Sequence, residues 1–273
     1  MPELPEVEVT RLGVEPHLLG QRITGLVLRR SGLRWPFPEN LAQLLVGQQV
    51  IGTARRAKYL LILFSHGTLI IHLGMSGHIR VLPLATPAQR HDHVDIELGT
   101  HLLRLTDPRR FGAVLWHCNK NGPIEQNDLF RRLGVEPLTA QFNGAVLYRR
   151  SRGQQRAVKQ MLLSGDIVVG VGNIYASESL FLAGINPMKS AGSLGLVRYK
   201  KLATVIQSVL VAAIAKGGST LRDFIGVDGQ KGYFQQTYFV YDRANLPCLV
   251  CGTLIRQVKQ GQRSTFYCVK CQK

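Results

Sequence analysis

The chain is short of acidic residues. Its 34 lysines and arginines face 17 aspartates and glutamates, leaving a net charge of +17 over 273 residues. Such an excess points to a polyanionic partner, most often nucleic acid, although an acidic membrane or a ribosome-like surface satisfies the charge alone. Long apolar runs are missing too. The longest, 205–215, is interrupted by Gln207 and Ser208. It falls well short of the ~20 residues that span a bilayer and reads as a buried helix. Residues 1–30 lack a basic-then-apolar leader pattern. A cytoplasmic protein with no membrane partner is expected. Cysteine is scarce and unevenly spread: Cys118 stands alone, and Cys248, Cys251, Cys268 and Cys271 crowd the last 26 residues. Without a secretion signal, a disulfide framework is disfavoured and a metal site favoured. No internal repeat or low-complexity tract is present.

What is present divides the chain. Its length suffices for two cores, and its 45% hydrophobic content suits a globular protein. Residues 6–19 read as a short helix offering Val7, Leu12, Leu18 and Leu19 to a core, with Pro16 placed to end it early. Eight β-rich runs follow, at 23–28, 50–54, 59–64, 68–73, 78–81, 94–98, 102–105 and 113–116. Their spacing of roughly 10 residues suggests an antiparallel sandwich or barrel. Helical spacing takes over at 155–163, 173–183 and 196–216, the last stopping at Gly217-Gly218 as a C-cap should. The expected organisation is an α+β multidomain protein. A β domain occupies 1–122, a connection 123–154, a helical domain 155–243, and a metal-stapled hairpin 244–273.

Several stretches carry chemistry. The pattern Cys248-x2-Cys251-x16-Cys268-x2-Cys271 places four thiolates around one structural zinc ion and leaves no open position for water. Between the pairs, 253–258 and 264–269 alternate as strands around a tip bearing Lys259 and Arg263. That tip suits a phosphate or a groove; a solubilising knuckle would look the same. Val169-Gly170-Val171-Gly172-Asn173-Ile174-Tyr175-Ala176 is a glycine-rich turn opening a helix. It lacks the third glycine of a dinucleotide fingerprint. With Asn173 as cap it suits a DNA phosphate or an ordinary helix entry. Arg55-Arg56-Ala57-Lys58 is a basic cluster at a strand junction. Two further turns, 72–77 and 106–112, offer Met75, Arg109, Arg110 and Phe111, side chains of the kind that wedge into a base stack. Nothing in the sequence says that these turns meet. His91-Asp92-His93 sets two histidines on one strand face with no third metal ligand, so structural or phosphate-contacting roles fit better. The opening Met1-Pro2-Glu3-Leu4-Pro5-Glu6-Val7-Glu8 reads in two ways. It is a helix start, with Pro5 in the first turn and acids facing the dipole. With Met1 removed, it is also a secondary amine at Pro2 beside Glu3, a nucleophile with a proton shuttle.

Taken together, these stretches resemble the formamidopyrimidine-DNA glycosylase (MutM) family. They are Pro2 to Glu8, Lys58-Tyr59-Leu60, the 72–77 turn, His91-Asp92-His93-Val94, Asp107 to Gly112, Gly170 to Ala176 and the four cysteines, in the family's order. The resemblance implies an N-terminal β-sandwich, a helical domain with a helix-two-turns-helix element at 170–175, and a C-terminal zinc-finger β-hairpin. It implies a monomeric base-excision repair enzyme acting on damaged double-stranded DNA. Such an enzyme removes 8-oxoguanine and formamidopyrimidines, then cleaves the strand at the abasic site. On this resemblance Pro2 attacks the sugar C1′ and Glu3 supplies the acid. Lys58 contacts phosphate and assists β-elimination, and Arg263 grips phosphate and assists δ-elimination. Met75, Phe111 and one of Arg109 or Arg110 fill the space left by the extruded base. His72, His91, Lys159 and Asn173 contact the DNA backbone. Ser219 and Thr220, within 217–232, belong to the loop that closes over the damaged base.

The chemistry suits these groups. An α-amino group of pKa about 8 is roughly a tenth unprotonated at pH 7, against roughly one part in 2,500 for an unperturbed lysine. A secondary amine gives an iminium with no N–H to lose, which stays cationic and acidifies the sugar 2′ position. Two other functions share parts of the pattern: an endonuclease VIII-type glycosylase for oxidised pyrimidines, and a non-enzymatic zinc-ribbon DNA-binding protein. Leu4 and the Met75/Arg109-Arg110-Phe111 wedge favour the purine enzyme over the first. The Pro2-Glu3 start separates it from the second.

Overall fold

The computed structural model describes residues 2–218 and 238–273. The chain divides into two compact units. Among the described residues, the first comprises those up to Arg131 with Lys216, Gly217 and Gly218; the second holds Arg132–Ala215 and residues 238–273.

The first unit opens with α1 (Leu4–Leu18). Glu3 is its N-cap: the Glu3 side chain accepts the Glu6 N–H, and Glu6 Oε2 accepts the Glu3 N–H at 2.8 Å. This reciprocal capping box, with Pro5 in the first turn, fixes where the helix starts. Pro16 does not end the helix as its sequence position suggested. It costs one backbone bond, to the carbonyl of solvent-side Leu12, and lies within a turn of the end. Val7, Val14 and Leu18, all buried in the sandwich core, hold the helix through it.

Eight strands follow: β1 (Gly25–Leu28), β2 (Gly52–Arg56), β3 (Tyr59–Phe64), β4 (Gly67–His72), β5 (His78–Pro83), β6 (Asp92–Glu97), β7 (His101–Thr106) and β8 (Ala113–Cys118), with a short α2 (Leu41–Leu45) between β1 and β2. They form two antiparallel sheets, in the orders β1-β6-β7-β5 and β2-β3-β4-β8. Alternate residues such as Leu60 and Ile62, Leu69 and Ile71, Val94 and Ile96, and Leu103 and Leu105 turn inward and make the core a sandwich.

Strand register decides what gathers where. Tyr59 pairs with His72, and His72 with Ala113. In the other sheet His78 and Asp92 both pair with Thr106, and Leu28 with Val94. The β2–β3 turn, the 73–77 and 107–112 crossings between sheets, and the loop after β1 therefore all emerge at one end of the sandwich.

The second unit contains α3 (Gly144–Ser151), α4 (Val158–Ser164), α5 (Asn173–Ala183), α6 (Leu196–Ala215) and a hairpin of β9 (Arg256–Gln260) and β10 (Arg263–Tyr267). Helix α3 falls in the stretch read from sequence as a connection. Asn143 caps it by accepting the Ala145 and Val146 N–H groups. Gly144 lets it lie against α6, where a Cβ would come within 2.3 Å of the Lys200 backbone. Helix α6 ends before the left-handed Gly217 and Gly218, as expected. Met161, Ile174, Tyr175, Leu180, Tyr199, Leu202 and Ile206 are buried within this unit. The finger seats on α5 through Phe181, Val240, Ile255 and Phe266, clustered with Cys248 and Cys268. Among the described residues no helix is long and apolar enough to cross a membrane.

Candidate active site and nucleic-acid interface

Pro2 and Glu3 are buried at the head of α1, Glu3 to 1% exposure. The helix-start reading holds, with Glu3 as the cap and Pro5 in the first turn. The residues that cap the helix are the candidate nucleophile's neighbours. Farther along α1, Glu8 pairs with Arg11 at 2.8 Å and with Arg55 at 3.0 Å, and Arg11 reaches Glu15 and Thr53. Arg55 thus latches β2 to the helix. Its Nη1 also donates to the Ala57 carbonyl at 2.9 Å, holding Ala57 at a left-handed φ of 54°. That turn sets the half-buried Lys58 directly before β3.

The two glycine-bounded turns do meet, and one side chain joins them. Asp107 is fully buried. Its carboxylate accepts Ser76 Oγ at 2.9 Å and the Gly112 N–H at 2.8 Å, and its carbonyl accepts His93 Nε2–H at 3.0 Å. Ser76 Oγ in turn accepts the Arg109 N–H at 3.1 Å. Gly74 packs so closely that a Cβ would meet the Phe111 carbonyl carbon and the Gly112 nitrogen at 2.4 Å, and its φ of 64° suits glycine. The result is a joint that presents half-buried Met75 next to exposed Arg109, Arg110 and Phe111. The Arg109 guanidinium lies 5.1 Å over the Phe111 ring, so the pair projects as a unit.

His72 flanks this joint. Its Nδ1 accepts the Gly74 N–H at 3.0 Å, which leaves any proton of the neutral ring on Nε2. Burial, with Lys58 and Arg34 nearby, pushes its pKa down to about 4. At neutral pH His72 is therefore an uncharged N–H donor. His91 lies half-buried just before β6, and a bulge between Asp92 and Val94 breaks the strand alternation. His93 is taken up by the Asp107 carbonyl.

In the second unit, α5 begins at Asn173 with Gly172, not Asn173, as its cap. Asn173 Nδ2 instead donates to the Ser264 carbonyl at 3.0 Å. Lys159, expected against the DNA backbone, is fully buried in this structure. Its Nζ donates to the same Ser264 carbonyl at 3.1 Å and to Thr265 Oγ1 at 2.9 Å. With Gln160 donating to the Gln260 carbonyl, α4 and α5 bolt the hairpin in place. Arg263 opens β10 exposed to solvent, opposite Gln260 across the Gly261-Gln262 turn.

The four tail cysteines converge, their sulfurs all within 4.8 Å of one another. A zinc ion with Zn–S near 2.3 Å needs edges of about 3.8 Å, and Cys251–Cys268 and Cys248–Cys271 stand at 3.4 and 3.9 Å. Desolvation and the neighbouring sulfurs push the Cys271 thiol up to about 12, whereas hydrogen bonds with Thr253 draw Cys251 down to about 6. Thiols so crowded ionise together only around a cation. The set fits one structural zinc ion with no position left for substrate.

Sequence reasoning passed over two groups here. Asp107 looked like a turn former, and no local pattern betrays a joint between turns 31 residues apart. The 29–36 loop, with three arginines and Trp35, was given no role. Its dense arginine content was the available signal. Ser219 and Thr220 lie outside the described residues.

Comparison with known proteins covers nearly the whole chain. Residues 1–114 match the formamidopyrimidine-DNA glycosylase N-terminal domain, 133–225 its H2TH domain, and 245–273 the zinc finger found in FPG and IleRS. The formamidopyrimidine-DNA glycosylases of Herminiimonas arsenicoxydans and Janthinobacterium sp. (strain Marseille) are 64% and 65% identical over 273 residues, covering 100% of each chain. Wild-type Lactococcus lactis Fpg (MutM) bound to N7-benzyl-Fapy-dG DNA superposes with a TM-score of 0.91 at 31% identity. MutM bound to carbocyclic 8-oxo-G DNA does so with 0.90 at 32%, and both alignments cover 100% of each chain.

Proposed function

Because the chain belongs to the formamidopyrimidine-DNA glycosylase family, we propose that it excises oxidised purines from duplex DNA and then cleaves the abasic strand. The observation that carries this reading is the joint on Asp107, which brings Met75 and the Arg109–Phe111 pair together as a wedge. A base must leave the stack before an enzyme can attack its sugar, at a cost of a few kcal/mol. Apolar and guanidinium side chains inserted in its place recover part of the lost stacking.

In this reading the Pro2 nitrogen, freed by removal of Met1, donates its lone pair to C1′. The C1′–N bond to the damaged base breaks and the base departs with a proton, Glu3 supplying the acid. Opening of the sugar ring leaves a Pro2 iminium. It withdraws electrons, the 2′ carbon loses a proton, and the 3′ C–O bond breaks. A second elimination breaks the 5′ C–O bond. Hydrolysis then releases the sugar fragment and restores the amine. Lys58 holds phosphate and assists the first elimination; exposed Arg263 holds phosphate for the second. His72, as a neutral Nε2–H donor, His91 and Asn173 contact the backbone, and Lys159 acts by fixing the hairpin. Ser219 and Thr220 serve lesion recognition. The sandwich at 1–122 carries the chemistry and the wedge, and the regions 155–243 and 244–273 add further DNA contacts. The enzyme works as a monomer in the cytoplasm.

The test is borohydride trapping on duplexes bearing 8-oxoguanine or thymine glycol, after mass analysis of the N-terminus. Protein lacking Met1 should form a covalent adduct, faster with 8-oxoguanine. Protein retaining Met1 should bind DNA but form none. Faster release of thymine glycol would move the protein to the pyrimidine class. The absence of any adduct from correctly processed protein would refute the enzyme reading.

A further inference from the structure

An open cleft of about 640 Å³ lies at the same end of the sandwich, walled by the 29–36 loop and Arg110. Four guanidiniums line it: Arg29, Arg30, Arg34 and Arg110. Only Arg29 is neutralised locally, by Asp95; among the described residues no carboxylate lies within ion-pair distance of the other three. The loop is built to hold its shape. Gly32 leaves no room for a Cβ, which would meet the Trp35 carbonyl oxygen at 2.5 Å. Phe37 is buried behind the loop, and its N–H donates to the Ser31 carbonyl at 2.9 Å.

Two contacts make this cleft an extension of the wedge joint. The Arg34 N–H donates to the Gly112 carbonyl at 3.0 Å, directly beside Phe111. The Arg34 guanidinium lies 4.8 Å over the ring of Trp35, which sets its direction. The charges are felt along the same face: Arg34 helps to depress the basicity of His72, and Arg30 that of His93. Unpaired guanidiniums on a rigid loop beside a base-stack wedge suit planar, bidentate recognition of phosphate oxygens. Such contacts position a protein on DNA without reading sequence.

We propose that the 29–36 loop and Arg110 form a cleft that grips the phosphodiester backbone of duplex DNA beside the wedge, with Arg30 and Arg34 as phosphate contacts and Trp35 orienting Arg34. This rests on the DNA-repair reading above. The cleft holds the duplex against the push of the wedge, so that insertion of Phe111 and Met75 displaces a base instead of the whole helix.

The experiment measures duplex affinity by fluorescence anisotropy across a salt series for wild type, Arg30→Ala, Arg34→Ala and Arg34→Lys. Zinc content and melting temperature serve as controls of fold. Each alanine variant should bind about fivefold or more weakly. The slope of log K against log salt should shrink by about 0.9 per lost contact. Arg34→Lys should keep the slope but recover only part of the affinity, because it loses the fork and the stacking on Trp35. Trp35→Ala should weaken binding and Trp35→Phe restore it. A single neutral methylphosphonate is then walked along each strand. At one position it should weaken wild type while leaving Arg34→Ala unaffected. Wild-type affinity and slope in both alanine variants would overturn the cleft assignment, as would the lack of any coupled phosphate. A wild-type protein that excises no 8-oxoguanine in the same preparation would instead overturn the underlying repair reading.

Discussion

Replacing Asp107 isolates the contribution of one buried side chain to a preorganised wedge. Its two oxygens accept Ser76 Oγ and the Gly112 N–H at 2.9 and 2.8 Å inside a fully buried site. In Asp107→Ala both donors lose their acceptor. A buried donor left unpaired costs about 1–3 kcal/mol, so keeping the joint closed would cost roughly 2–6 kcal/mol. Parting the two turns lets water reach both donors, and that is the cheaper route because both crossings sit at the end of the sandwich. The loss should therefore fall on the wedge more than on the whole fold. If the closed joint is disfavoured by about 2–3 kcal/mol, excision slows roughly 30-fold to 150-fold. Asp107→Asn keeps one acceptor oxygen and should fall between wild type and alanine. The assay is single-turnover excision of 8-oxoguanine at saturating protein, with affinity for undamaged duplex measured alongside. Affinity should stay within about twofold, since the phosphate contacts lie on other side chains. Excision at the wild-type rate by folded, zinc-loaded Asp107→Ala would refute the idea that this carboxylate holds the wedge.

Three further outcomes follow from the geometry. Cys268→Ser should release zinc, loosen the β9–β10 hairpin and weaken DNA binding, as metal assay and anisotropy would record; unchanged binding would show that the finger is dispensable. His72, held down to about 4 against an ordinary 6.5, binds fewer protons when folded than when unfolded between those values. Stability is thus complete above pH 6.5 and declines as pH falls toward 4, by roughly 3 kcal/mol in total. His78 and His93, also lowered by burial, act in the same direction. Thermal melts from pH 7 to 4 should show a shallower decline in His72→Gln, and parallel curves would contradict the assignment. Lys159→Met should weaken DNA binding with the salt slope unchanged, because the buried amine acts through the hairpin; a slope reduced by about 0.9 would instead place Lys159 on a phosphate.

Much of this was legible in the residues because it is local. Strand β3 alternates Leu60, Ile62 and Phe64 inward, a period that needs no partner to be seen. Helix α5 spans the residues expected of it, since a left-handed glycine follows it and an extended one precedes it. The zinc site was legible because its ligands come in two close pairs. Helix α3 was not. With eight residues and Leu147 as its only fully buried large apolar side chain, it has too few turns to display a period. Lys159 misled for a related reason. A lysine ordinarily keeps its charge in water, and the hairpin folded over this one supplies acceptors that permit its burial.

By itself, the sequence determined the strands and main helices, the thiolate zinc set and the basic balance. Each depends on spacing along the backbone or on summed charge. Tertiary structure alone decided that the turns at 73–77 and 107–112 share one carboxylate, and that the 29–36 loop stands beside Phe111. It also decided that one Ser264 carbonyl collects both Lys159 and Asn173. Those are contacts between segments far apart in the chain, made when two sheets close over a common core or when the hairpin seats on α4 and α5. Burial then sets which charges are paired, which are neutral and which remain free to meet a phosphate.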